Sequence, residues 1–155
     1  MSKRRFVFFL LCLFCLAVSF TGAQEIPSSQ AVRPEYKVGQ KWSYRSRPGE
    51  ESSYLIVVKI ENEAKWGTII HVALGGLKMK NPRSPNGFSE SADHLPFSKD
   101  AIDKSAIKLL KDHVELPNFE PGYKLWRAAL DDKRAGVYTI TVAEAVNIME
   151  LSLNQ

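Results

Sequence analysis

Ser53-Tyr54-Leu55-Ile56-Val57-Val58-Lys59-Ile60-Glu61-Asn62 decides the fold class of this 155-residue chain. The stretch is rich in β-branched residues and alternates with a period of two. Tyr54, Ile56, Val58 and Ile60 share one face; Leu55, Val57, Lys59 and Glu61 share the other. On its N-terminal side, Lys41–Arg47 sets Trp42 and Tyr44 against Lys41, Ser43 and Arg45, the pattern of a half-buried strand. Arg47-Pro48-Gly49-Glu50 is a turn between the two. On its C-terminal side, Glu63–Gly67 turns the chain into Thr68–Leu77, where Ile69 to Leu74 run toward a strand end at Gly75-Gly76. Three successive strands with short connections predict an antiparallel meander.

Beyond it the chain changes character. Lys78–Phe97 holds Asn81-Pro82, Ser84-Pro85 and Asn86-Gly87, and reads as one long irregular loop. Ser98 suits a helix N-cap, with Asp100 in the first turn; Ile102, Ala106, Leu109, Leu110 and His113 or Val114 continue a helix that Pro117 ends. Pro121 opens a second helix with Tyr123, Trp126, Arg127 and Leu130 on one face and Gly136 as its stop. Val137–Ile140 is a short strand. Thr141 and Glu144 form a capping box for a closing helix. The expected architecture is α+β: an antiparallel sheet of three to four strands with two to three helices packed on one face, after a cleaved signal peptide.

That signal lies at residues 1–23. Lys3, Arg4 and Arg5 precede the apolar run Phe6–Phe20, and Thr21-Gly22-Ala23 supplies small residues at a cut. The run is short for a membrane span, which needs about 20 residues, and no later segment is long enough. Residues 24–35, with Pro27, Ser28, Ser29 and Pro34, form a flexible lead-in to a single domain at 36–155. The precursor carries 21 Lys+Arg and 17 Asp+Glu, a net +4. The signal holds three of those cations and no acid, so the mature charge falls to +1. A nearly neutral chain has no general attraction for nucleic acid. Both cysteines, Cys12 and Cys15, lie inside the signal, so the mature chain has no disulfide, thiol nucleophile or thiolate ligand.

Candidate chemistry is sparse. His71, His94 and His113 are the three histidines, and Asp93 and Asp112 directly precede two of them. Folded together they would suit a metal, but their separations match no local metal motif. No metal site or cofactor is therefore assigned, and His94, His113 and His71 stay as an alternative set. Ser105-Ala106-Ile107-Lys108 has the S-x-x-K spacing of a lysine-activated serine, without the companion motifs that would support it.

The candidate binding residues are aromatic and basic. Trp66, in a tight turn, either anchors a partner or folds back over the sheet. Arg45 and Arg47 form a cationic strip beside Tyr44. The Lys78–Phe97 loop brings Lys78, Lys80, Arg83, Phe88 and His94 to one recognition element. The function expected on this reading is a small exported, non-catalytic binding or accessory module of the periplasm or extracellular space, with a protein or envelope component as partner. The alternatives are a structural subunit of an envelope assembly and a small metal-assisted hydrolase.

Overall fold

An extra residue in strand β2 organises the molecule. In the computed structural model, which describes residues 34–155, β2 (Tyr54–Glu63) pairs antiparallel with β3 (Gly67–Lys80). Leu55 faces Leu74 and Val57 faces Val72; the register then slips, and Lys59 faces His71. Val58 is the residue left over, a β-bulge that reverses which face each later side chain takes. Ile60 therefore joins Leu55 and Val57 on the core face, opposite Ile70, while Lys59 and Glu61 turn to the other face. The unbroken alternation expected from the sequence placed Ile60 with Tyr54 and Ile56; the bulge overturns that assignment.

Among the described residues there are five strands and three helices. Strand β1 is Lys41–Tyr44, β4 is Phe88–Ser98 and β5 is Ala106–Lys111; the sheet order is β4-β3-β2-β1-β5 with every neighbour antiparallel. Helices α1 (Lys99–Ser105), α2 (Glu120–Asp131) and α3 (Val142–Leu153) complete the α+β fold. No helix among the described residues is long and apolar enough to cross a membrane. The expected signal at 1–23, and the lead-in up to residue 33, lie outside the described residues.

Three stretches differ from expectation: two add strands, which brings the count to five, while Val137–Ile140, expected as a short strand, keeps only an isolated parallel bridge between Tyr138 and Phe97. The first is Lys78–Phe97. Strand β3 does not end at Gly75-Gly76 but runs on to Lys80, and β4 begins at Phe88, leaving a turn at 81–87. Gly76 takes φ +72° where β3 bulges against β4, a conformation that suits glycine. The polar residues of β4 hid it: on an edge strand, Ser89, Glu90, Ser91 and Asp93 need bury neither face.

The second is Ala106–Lys111, expected as the middle of a helix. Ser98 does cap α1, accepting the Ala101 N–H. The helix ends at Ser105, however, because the following residues pair with the open edge of β1, Trp42 facing Leu109 and Ser43 facing Lys108. Ile107, Leu109 and Leu110 remain exposed, so their helical spacing reports no buried face. Helix α2 also stops earlier than Gly136: Lys133, at φ +60°, closes it, and the Arg134 N–H returns to the Ala129 carbonyl.

The core lies on the Leu55 face. Leu55, Val57, Ile70, Val72, Leu74, Leu95 and Phe97 pack there with Ala101 and Ile102 of α1 and Val142, Ala145 and Val146 of α3. The capping box starts α3 as expected, with Thr141 and Glu144 satisfying each other's backbone N–H. Helix α2 does not share that face. His71 neighbours Ile70 and Val72 in β3 and so points the opposite way, and Tyr123 and Trp126 of α2 meet it edge-on there. Helices thus cover both faces rather than one.

Candidate functional site

Beneath α2, three strands contribute one polar residue each. Adjacent pairing sets them side by side: Glu61 on β2, His71 on β3, His94 on β4. His71 Nδ1 lies 2.9 Å from His94 Nε2, and His71 Nε2 lies 3.2 Å from Glu61 Oε1. The Tyr123 hydroxyl donates to Glu61 Oε2 at 2.9 Å. This network assigns the tautomers. Glu61 accepts from His71, so His71 carries its proton on Nε2 and its Nδ1 is an acceptor. His94 therefore donates through Nε2–H and keeps a lone pair on Nδ1.

The surroundings hold both rings neutral. His71 is fully buried. Burial lowers its pKa, against the opposing pull of Glu61. Burial, then the neighbouring His71, lowers His94 to about 4. Burial and then the Glu61 carboxylate raise the Tyr123 phenol. Cations close the far side: Lys59 Nζ stands 3.8 Å from Glu61 Oε2 and 4.9 Å over the Tyr123 ring, and Arg127 pairs with Glu63 and Asp131.

Helix α2 can lie this close because of Gly122. A Cβ built there would fall 2.8 Å from the Cβ of His94, a distance side chains do not tolerate. Beside this contact opens a cleft of about 510 Å³, lined by His94, Leu95 and Pro96 of β4, Gly122 and Trp126 of α2, and Ala135–Tyr138. Its walls are held by backbone bonds. Tyr138 N–H donates to Pro96 O, and Ser98 N–H to Tyr138 O, each at 2.9 Å. The Trp126 indole N–H donates to Gly136 O at 2.8 Å. None of the lining residues is Lys, Arg, Asp or Glu.

The residues singled out from the sequence do not gather at one place. His94 lines the cleft and His71 supports it. His113 packs instead against Gly39, whose Cβ position lies 3.0 Å from its Nδ1. Among the described residues no group of three or more His, Cys, Asp or Glu is placed to hold a metal ion, so the hydrolase alternative lacks its ligand set. Trp66 folds back toward Gly136, with the Lys65 ammonium 4.5 Å from its ring centroid. Arg45 donates to Lys104 O at 2.6 Å. Arg47 is bound to Glu50, Asn147 and Glu150, joining the β1–β2 turn to α3. Lys78 and Lys80 sit exposed at the end of β3, Arg83 in the turn and Phe88 at the start of β4. Ser105 and Lys108 do not meet as a pair: Ser105 is buried at the end of α1, and Lys108 is exposed on β5.

Sequence reasoning missed Glu61 and Gly122. The α2 face of Tyr123, Trp126 and Arg127 was visible, but the strand face it covers depends on the bulge at Val58. No family model matches the chain, and neither a curated protein nor a solved structure shows significant similarity to it.

Proposed function

We propose that this chain is an exported, non-catalytic binding module whose recognition site is the cleft between β4, α2 and residues 135–138. The observation that carries this reading is an open, uncharged cleft of about 510 Å³ whose inner wall is buttressed by the hydrogen-bonded Glu61–His71–His94 series, with His71 fully buried at its centre. Its size suits a small ligand or a single large side chain. Rigid support of this kind lowers the ordering cost of binding. Export rests on residues 1–23, and N-terminal sequencing of the processed protein should then begin at Gln24.

The test of the site is equilibrium dialysis of the purified protein against a small-molecule extract of the host's exported fraction, read by mass spectrometry. Trp126→Ala serves as comparator, with circular dichroism to show that it folds. Retention of a compound by the unaltered protein and its loss in Trp126→Ala supports the cleft. Equal retention by both, or none by either, rejects it.

A further inference from the structure

The lining of the cleft also limits what can bind there. Its walls carry no formal charge. Of the cations on the elements around it, Lys59 pairs with Glu61, Arg127 with Glu63 and Asp131, and Arg134 with Asp132. An anion would therefore be desolvated without an ion-pair partner, which is costly. The polar side-chain atoms are few. Trp126 Nε1–H is spent on Gly136 O, which leaves the Tyr138 hydroxyl and Nδ1 of His94. Nδ1 lies on the Gly122 side of the imidazole, 3.7 Å from the Gly122 Cβ position, and both residues line the cleft. The tautomer set by Glu61 and His71 makes that Nδ1 an acceptor. A sugar, which needs many polar partners, is poorly served by such a wall; a flat ring against Trp126 and Tyr138 is well served.

We propose that the cleft takes an uncharged aromatic or heteroaromatic molecule bearing one N–H or O–H donor, which it gives to His94 Nδ1. This rests on the cleft being the recognition site. Specificity comes from the fixed direction of the histidine series: because Glu61 cannot donate when ionised, His94 presents a lone pair and selects donors against acceptors. An analogue without the donor leaves that acceptor unpaired and binds more weakly by about the worth of one hydrogen bond.

The test uses the full processed chain at pH 7 and three probes of one shape: p-cresol, 4-methylanisole and p-toluate. Amide and indole signals of His94, Gly122, Trp126 and residues 135–138 are followed by two-dimensional NMR. The expected result is saturable shifts with p-cresol, binding of 4-methylanisole weaker by roughly five- to tenfold, the worth of about one hydrogen bond, and no binding of p-toluate. Equal binding of p-cresol and 4-methylanisole, or binding of p-toluate, overturns the donor class. Silence of all three probes at the cleft overturns the ligand class as well. The dialysis comparison with Trp126→Ala then separately decides whether the cleft is a site for something else.

Discussion

Nδ1 of His71 and Nε2 of His94 share one hydrogen bond, 2.9 Å long, under helix α2, and His71, the acceptor, cannot take a second proton without breaking it. Burial depresses both, His94 to about 4. The sign follows from linkage. A histidine whose folded pKa lies below its ordinary value near 6.5 leaves the unfolded chain binding more protons, so stability is full above that value and is lost as pH falls toward the folded pKa. Between pH 7.5 and 5.5, His94 should account for about 1 kcal/mol of lost stability, less any screening at its partly exposed edge. Urea unfolding at the two pH values measures this. In His94→Gln, whose amide still donates to His71, the fall should shrink by that amount; an unchanged fall would refute the assignment.

Gly122→Ala tests how closely α2 must approach β4. The new methyl would meet the His94 Cβ at 2.8 Å, so the helix must shift. Overpacking costs about 1–3 kcal/mol, and the better helix propensity of alanine returns up to about 1 kcal/mol. A net loss of about 1–2 kcal/mol is expected, with a change in Trp126 fluorescence as the cleft wall moves. A gain in stability would show that the contact is slack.

How much of this was legible depended on whether burial left a periodic trace. Trp42 with Tyr44, Leu55 with Val57, and the Thr141–Glu144 box announce their elements because each residue does in the fold what its type does intrinsically. β4 and β5 gave no such trace. They are the two edges of the sheet, and in β5 and the polar first half of β4, before Leu95 and Phe97 reach the core, backbone pairing rather than an apolar face makes the strand. Helical spacing across Ala106–Leu110 was coincidence, overridden by the free edge of β1. The site was hidden for a third reason: one extra residue, Val58, decides that Glu61 lies beside His71, and alternation read without the bulge sends Ile60 to the wrong face.

Arg47 and Glu50 make a second buried pair, far from surface decoration. Glu50 is 2% exposed and also accepts the Lys78 N–H at 2.7 Å. Burial pushes its carboxyl up, and the Arg47 guanidinium and the Lys78 amide overcome this and hold it below the ordinary value. Arg47→Met strands that carboxylate and should cost about 3–5 kcal/mol in denaturant unfolding. Adding Glu50→Gln removes the stranded charge while keeping an acceptor for Lys78, so the double variant should be more stable than Arg47→Met alone. A double variant no better than the single one would show that the charge was never buried without compensation.

Ser105 closes α1 and opens α3 with one hydroxyl. It donates to Ala101 O at 2.7 Å and accepts the Val142 N–H at 3.0 Å, fully buried. Ser105→Ala leaves that amide without its acceptor where water does not reach, a loss of about 1–3 kcal/mol. The Val142 amide should exchange with deuterium faster in the variant. Lys108, three residues on in sequence, is exposed on β5, and Lys108→Ala should change stability by no more than about 0.5 kcal/mol. A serine and lysine acting as one unit would instead respond alike. Parallel thermal melts of the two variants separate a structural hydroxyl from a lysine-activated nucleophile.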